Sequence, residues 1–151
     1  TPCEVGLPPG AEKARTGPPG TGEDGRYALR EEYGEDENFD GMVIPLRHGF
    51  LSAHVYRGPH VYATIARYVV KNRKAVPWGK SDRGTWQGMP TLTAGWKRKA
   101  MNGTPQVTIH YVVERKGLGT LVLELNVDEA HIDEETPYLV KFKDSLRLAG
   151  D

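Results

Sequence analysis

The chain has 151 residues and a formal net charge of zero, from twenty basic and twenty acidic side chains. This length fits one domain that buries a core without help from a metal or a disulfide. The single cysteine, Cys3, excludes an internal disulfide, and no apolar run approaches the length of a membrane span. We therefore expect a soluble protein of the cytoplasm or another reducing compartment, with no membrane partner, while a secreted effector stays open.

The N-terminal residues predict two segments outside the main domain. Residues 1–25 contain five prolines and six glycines, which is typical of a flexible leader. Residues 26–41 carry a dense run of carboxylates, which indicates an acidic linker or an arm that folds back over a basic surface. Residues 42–151 are predicted to form a single β-rich domain.

The first half of that domain gives a mixed pattern. Leu51, Ala53 and Val55 alternate with more polar residues, which is the two-residue period of a half-buried strand. Residues 60–70 are rich in β-branched and aromatic side chains and predict the second strand of a hairpin, with a short helix over residues 63–71 as the alternative. Residues 72–105 contain many glycines and prolines and predict a long loop region around one strand at residues 90–96.

The second half is clearer. Residues 106–115 and 120–127 each alternate apolar and polar side chains, and a glycine-containing connection joins them, so an antiparallel hairpin is predicted. Residues 128–135 suit one helical turn, and residues 138–148 suit a last strand. The fold class is thus predicted as mainly β, with α+β as the alternative. We expect a single domain of about five to seven antiparallel strands, one long loop region and one or two short helices.

The charge is sorted along the chain. Residues 57–116 hold twelve basic and two acidic side chains, whereas acidic side chains predominate in the segments on either side. All three tryptophans lie in this basic block. Phosphates require charge neutralisation and bases require a face to stack on, so we predict a nucleic-acid-binding surface, with RNA or a single strand favoured. Its candidate residues are Arg67, Lys71, Arg73, Lys74, Trp78, Trp86, Trp96, Lys97, Arg98 and Lys99. A protein partner that binds the tryptophans is a further alternative.

The histidines support an enzyme as the alternative. His48, His54 and His60 are six residues apart, and His110 is a possible fourth member of the group. Imidazoles are ligands that zinc takes, but the close spacings of metal motifs are absent, so we predict no metal. Paired histidines that act as general acid and base, as in a His-based nuclease, are the favoured chemistry because imidazole titrates near neutral pH.

Short segments also resemble landmarks of small ADP-ribosyltransferases. These are Arg47-His48-Gly49, residues 58–64, residues 119–124 and a tail at residues 144–148. The resemblance implies that His48 and Tyr62 hold the nicotinamide end of NAD and that Glu114 or Glu124 polarises the acceptor. The catalytic candidates under the enzyme alternative, a toxin or effector, are therefore His48, His60, Tyr62 and Glu124. NAD is the only cofactor considered, and only under that alternative.

A second resemblance points back to nucleic acid. Residues 46–49 and residues 107–109 are similar to segments of non-proteolytic, RNA-binding accessory proteins of some picornaviruses. These matches are short, and we assign the chain to no family on either resemblance.

Overall fold

The computed structural model describes residues 3–6, 26–29, 31–32, 42–56, 61–72, 74–115 and 119–148. The strands, in chain order, are β1 (Cys3–Gly6), β2 (Arg26–Leu29), β3 (Glu31–Glu32), β4 (Met42–Leu46), β5 (Gly49–Tyr56), β6 (Val76–Pro77), β7 (Asp82–Trp86), β8 (Met89–Lys99), β9 (Pro105–Arg115), β10 (Gly119–Asp128) and β11 (Arg147–Leu148). The other described elements are the helices α1 (Val61–Asn72) and α2 (Ile132–Asp144) and a 3-10 turn at Glu129–His131.

One sheet dominates the described structure and confirms the predicted mainly β fold. Its central strands are ordered β5-β10-β9-β8, and all of them are antiparallel to their neighbours. β4 pairs with β5 at one side, β6 and β7 pair with β8 at the other, and β3 adds a short parallel pairing to β5. A smaller antiparallel sheet of order β11-β1-β2 joins the chain ends, where the amide of Gly6 donates to Ser145 Oγ at 2.8 Å.

The main core lies on one face of the large sheet. Leu121, Leu123 and Leu125 alternate along β10 and are fully buried, because successive strand residues point to opposite faces. Leu139 and Phe142 of α2 pack against this face. Burial of each such side chain stabilises the fold by about 1.5–3 kcal/mol, so α2 and this face hold the domain together.

The opposite face carries polar side chains at its centre. Ser52, His110 and Asn126 are buried there, although polar residues seldom occupy a core unless they are hydrogen-bonded. A smaller apolar cluster continues along the same face and includes Tyr62 of α1. Its other buried members are Tyr56, Ala94, Val112 and Val122. Because buried polar side chains are uncommon, we looked for a functional site on this polar face.

The hairpin predicted from residues 106–115 and 120–127 is confirmed. β9 and β10 pair along their whole length, with Leu121 opposite Val113 and Leu125 opposite Ile109. The helical turn predicted for residues 128–135 is also confirmed, because the 3-10 turn is followed directly by α2.

The segment that follows β5 differs from the favoured prediction. It forms α1, which was the alternative, and not the second strand of a hairpin. Tyr62 and Ala66 are four residues apart and both pack against the smaller apolar cluster, as residues on one helix face do. Packing has therefore overridden the β propensity of this valine- and tyrosine-rich segment.

Residues 76–99 contain three strands where the sequence predicts a loop region around one. Gln87 and Gly88 have positive φ angles of 52° and 75° and form a two-residue turn between the paired residues Trp86 and Met89. Such turns match the twist of the flanking strands. The glycines and prolines here therefore lie within and between strands that pair, and β8 is an eleven-residue strand.

The last strand predicted at residues 138–148 is wrong. α2 continues to Asp144, and only Arg147–Leu148 forms a strand. Carboxylates in the first turn of α2 and lysines in its last turn suit the helix dipole, and this signal outweighs the short alternation that suggested a strand.

Parts of the predicted leader and acidic arm belong to strands. Cys3–Gly6 form β1, in which Val5 is fully buried against the main core. Arg26–Leu29 and Glu31–Glu32 form β2 and β3. The remaining residues before Met42 lie outside the described residues, so the predicted segment boundaries stay a prediction.

Candidate functional site

Tyr62, His110 and Glu124 form a hydrogen-bonded chain on the polar face, which we call the polar relay. Tyr62 lies in the first turn of α1, and His110 and Glu124 are directly opposite each other on β9 and β10. The Tyr62 hydroxyl lies 2.9 Å from His110 Nδ1, and His110 Nε2 lies 2.8 Å from Glu124 Oε1. Trp96 Nε1 donates to the Tyr62 hydroxyl at 3.2 Å.

One assignment of the hydrogens satisfies every donor of the polar relay. In this assignment a carboxylate at Glu124 accepts from His110 Nε2. In a neutral imidazole Nδ1 is then the acceptor, and the Tyr62 hydroxyl donates to it. Trp96 only donates, and it fills an acceptor position on the Tyr62 oxygen. Each donor in the relay therefore has an acceptor, which explains how a histidine with 1% exposure is tolerated.

Burial changes the acidity of the relay. It raises the pKa of Tyr62, and the nearby charge of Glu124 raises it further, while the hydrogen bond from Trp96 lowers it by a smaller amount than burial raises it. Tyr62 is consequently a neutral phenol near pH 7, suited to hydrogen bonding. Ser52, opposite Glu124 on β5, contacts the other carboxylate oxygen at 3.5 Å, so the polar row spans three strands.

A pocket of about 330 Å³ adjoins the relay between α1 and strands β7, β8 and β9. Leu92 and Val112 lie on the sheet face toward α1, and the helix contributes Tyr62 and Ala63. The remaining lining residues are Arg83, Pro90, Thr91 and Glu114. Two of these are charged, and Glu114 accepts a hydrogen bond from Thr120 Oγ1 at 2.9 Å. The pocket is thus an apolar cleft with a cationic and an anionic group in its lining.

The structure joins some predicted catalytic residues and separates others. Tyr62 and Glu124 meet through His110, which the sequence suggests only as a zinc ligand. His48 lies elsewhere, in the β4–β5 turn beside His131 and Glu134. His60 lies outside the described residues. The described members of the enzyme set therefore occupy two places.

The tryptophans do not form one exposed stacking surface, since each is half-buried. Trp96 bonds to Tyr62 on the polar face, whereas Trp86 packs against the main core on the opposite face. The backbone of Trp78 bonds to Gly95, and a Cβ added at Gly95 would come within 2.6 Å of the Trp78 carbonyl oxygen. Their most direct role is to anchor β6, β7 and β8.

The cations predicted to contact phosphate also differ in their surroundings. Lys97 pairs with Glu129 at 2.7 Å, and Arg98, the next residue on β8, points to the other face and is half-buried. Arg73 lies outside the described residues. The remaining described cations among the candidates are exposed: Arg67, Lys71, Lys74 and Lys99. These four stay candidates for a phosphate contact.

A second group of titratable side chains lies where the β4–β5 turn meets the start of α2. The rings of His48 and His131 are parallel within 3°, with their centroids 3.4 Å apart. Glu134 Oε1 lies 3.1 Å from His131 Nδ1, and Glu134 Oε2 lies 3.6 Å from His48 Nε2. The hydrogen bond with His131 is the main cause that lowers the pKa of Glu134. We call these three residues the imidazole cluster.

No model of a known protein family matches the chain, and no curated protein matches its sequence. Neither described helix is long and apolar enough to cross a membrane.

Solved structures share its fold, a mainly antiparallel sheet with helices packed on it. Protein PA94 of Pseudomonas aeruginosa, of unknown function, is 13% identical with a TM-score of 0.51, over 71% of this chain and 78% of that one. The cyanobacterial PsbP protein of Synechocystis is 12% identical with a TM-score of 0.51, over 71% and 73%. LpqN, involved in cell envelope biogenesis of Mycobacterium tuberculosis, is 14% identical with a TM-score of 0.46, over 97% and 83%. At these identities the first two show a shared fold alone, and the third adds no argument.

Proposed function

We propose that the domain binds a small, largely apolar organic anion in the pocket beside the polar relay. The observation that carries this proposal is the open cleft of about 330 Å³ formed by Tyr62, Ala63, Leu92 and Val112, with Arg83 in its lining. Pockets of this size, mostly apolar and with few polar groups, are typical of small-molecule sites.

The apolar lining would supply most of the affinity. Removal of apolar surface from water is worth about 25 cal/mol per Å², so roughly 150 Å² of buried ligand surface contributes about 4 kcal/mol. Loss of ligand motion offsets part of this gain. The apolar contact alone therefore corresponds to a dissociation constant on the order of 1 mM or weaker, and any tighter binding of a probe requires the charged contact as well.

The charged lining residues would select the ligand's polar end. Arg83 is exposed, and its guanidinium suits a carboxylate, sulfonate or phosphate. Glu114 is the competing charge, but it already accepts a hydrogen bond from Thr120. An anionic ligand that meets Arg83 is consequently favoured over a cation.

The polar relay would hold the pocket wall in shape. Tyr62 contributes to the lining while its hydroxyl is tied to His110 and Trp96, so its ring has little freedom. A wall fixed before binding reduces the ordering cost of association.

Binding of the fluorescent probe anilinonaphthalene sulfonate, an apolar aromatic anion, tests the proposal. We expect saturable binding of one probe per chain in a calorimetric titration. Ala63→Phe should weaken it at least tenfold, because Ala63 is exposed and lines the cleft, so that a larger side chain fills the cleft without entering the core. Ala130→Phe is the matched control, since Ala130 is also exposed and lies in the 3-10 turn, away from the pocket lining.

Charge selection is tested with the same probe. Arg83→Gln should weaken the anionic probe about tenfold and a neutral naphthalene analogue by less than twofold. Absence of saturable binding to the unaltered protein, or equal binding by the Ala63→Phe and Ala130→Phe variants, would reject the pocket as the binding site.

Nucleic-acid binding, NAD-dependent transfer and His-based cleavage stay predictions from the sequence. The described relay does not favour the enzyme alternatives in particular, because the Tyr62 hydroxyl is already bonded to His110 and Trp96. Replacement of the exposed lysines by glutamine distinguishes the two functions. It should weaken the binding of a nucleic acid and leave binding in the pocket unchanged.

A further inference from the structure

We propose that His48, His131 and Glu134 bind a divalent transition-metal cation of the zinc class. The sequence predicts no metal because it lacks the close ligand spacings of metal-binding motifs. The fold, however, brings these three side chains together from two distant segments. Two imidazoles and one carboxylate form a ligand set that zinc takes in proteins with one position left for water.

The donor atoms already lie close to the separations that zinc requires. Four ligands at about 2.0–2.1 Å in a tetrahedron are separated by about 3.3–3.4 Å from one another. The two measured imidazole–carboxylate distances are 3.6 Å and 3.1 Å, and one donor atom from each residue lies within 4.8 Å of the others. These two contacts use different oxygens of Glu134, so the carboxylate must turn for one of its oxygens to bind a cation shared with both imidazoles.

One movement is required of the rings. Their planes are parallel within 3°, so the in-plane lone pairs of His48 and His131 run side by side and do not converge on one point. Rotation of one ring about its side-chain bonds directs both lone pairs toward a shared cation. Both side chains are partly exposed, at 22% and 34%, which leaves room for this rotation and for a water ligand.

The backbone holds the three residues in place. The amide of Asp128 donates to the His48 carbonyl oxygen at 3.2 Å. The next residue, Gly49, lies so close to β10 that a Cβ there would come 2.0 Å from the Asn126 carbonyl oxygen, which requires glycine at this crossing. His131 and Glu134 are three residues apart at the start of α2, a spacing that places them on one side of the helix.

The charge nearby is mixed. Arg47 precedes His48 and acts electrostatically on Glu134, which disfavours a cation. Asp133 adds an exposed carboxylate one residue before Glu134. With three protein ligands and an adjacent arginine, a moderate affinity in the micromolar range is expected, and not that of a closed structural site with four ligands.

Titration of the full chain with zinc, in competition with a chromophoric chelator, tests the site. We expect one zinc per chain, and at least tenfold weaker binding in His48→Ala, His131→Ala and Glu134→Gln. Asp133→Asn is the matched control and should stay within twofold. Cobalt should give the intense visible absorption of a tetrahedral site in the unaltered protein and lose it in His131→Ala.

Each other outcome overturns the proposal. Absence of stoichiometric binding at micromolar zinc would reject the site. Binding that persists in all three variants would place the metal elsewhere, for example at the Cys3 thiol. Circular dichroism of each variant confirms that a loss of binding is not a loss of folding. The Ala63→Phe variant should bind zinc normally, because the inference does not depend on the pocket.

Discussion

At the scale of single residues, the polar relay is an unusual way to fill a sheet face. Tyr62, His110 and Glu124 occupy positions where apolar side chains would pack without any need for partners. A buried polar group that loses its partner costs about 1–3 kcal/mol, so the relay stabilises the fold only while it is complete. This dependence makes it sensitive to a single missing hydroxyl.

Tyr62→Phe should lower the free energy of unfolding by about 1–3 kcal/mol near pH 7, because it leaves His110 Nδ1 without its donor and Trp96 Nε1 without its acceptor. Urea denaturation measures the change. Tyr138→Phe is the matched control, since Tyr138 is half-buried against the main core on the other face and should lose much less stability. Equal losses in the two variants would contradict the role of the relay.

Urea denaturation of the unaltered protein and of Tyr62→Phe at several pH values should also show a pH dependence of stability. Burial raises the pKa of Tyr62 above its ordinary value of 10.0, so the folded chain retains the phenol proton at pH values at which the unfolded chain loses it. The stability that this difference contributes is complete below pH 10.0 and is lost as the pH rises toward the raised pKa. The unaltered protein should therefore lose stability above pH 10 more steeply than Tyr62→Phe, while the effect of Tyr111, whose pKa is also raised, is common to both.

Sequence reasoning found two relay residues and missed how they are joined. The resemblance to ADP-ribosyltransferases points to Tyr62 and Glu124, whereas the partner of Glu124 follows from the hairpin itself. The apolar sets of β9 and β10 must face one core, which puts Leu121 opposite Val113 and hence Glu124 opposite His110. This pair was therefore predictable from alternation, but its link to Tyr62 was not, because it depends on where α1 crosses the sheet.

At the scale of elements, β8 decides the shape of the pocket. It carries Leu92 of the lining, pairs with β7 and β6 along one side, and has Trp78 lying over Gly95. The full length of β8 was not predicted from the sequence, because a segment with many glycines and prolines is usually a loop. The turn at Gln87-Gly88 lacks the Asn-Gly or Asp-Gly pair that usually marks such a hairpin.

Gly95→Ala should test the contact that fixes β6 on β8. The added Cβ would come 2.6 Å from the Trp78 carbonyl oxygen and 3.1 Å from the Trp78 ring, so the backbone must shift and the Trp78 N–H bond to Gly95 weakens. We expect a loss of about 1–3 kcal/mol and a red shift of tryptophan emission.

Gly84→Ala is the control for that change, because it is also a strand glycine but its added Cβ meets only the Thr91 hydroxyl, at 3.3 Å. Its stability should stay within about 0.5 kcal/mol of the unaltered protein. A Gly95→Ala variant that is as stable as Gly84→Ala would mean that Trp78 does not anchor the edge.

At the scale of the whole molecule, the sorted charge is distributed over elements with different roles. The basic block of the sequence covers α1, β6, β7, β8 and β9, and some of its cations are engaged within the fold, as Lys97 is with Glu129. The mainly β class and the β9–β10 hairpin were predictable because alternation is local. Pairings between distant segments, such as His48 with His131, have no local signal.

The nucleic-acid prediction concerns the cations that stay exposed. If single-stranded RNA binds, replacement of Lys71, Lys74 and Lys99 by glutamine should weaken binding. The slope of log K against log salt concentration should become less steep by about 0.7 for each phosphate contact that is lost. The same loss of charge at Arg47, Lys141 and Arg147 should have little effect. Fluorescence anisotropy at several salt concentrations measures both, and an affinity that is absent or independent of salt would refute the prediction.

The most direct test of the account is a methyl NMR titration of the unaltered protein with anilinonaphthalene sulfonate. The proposed pocket predicts saturable shifts of the Leu92 and Val112 methyl groups, which line it, with little change at Val107 and Leu123 in the main core on the opposite face. Shifts confined to the main core, or no saturable shifts at Leu92 and Val112, would contradict the claim that this pocket is the binding site.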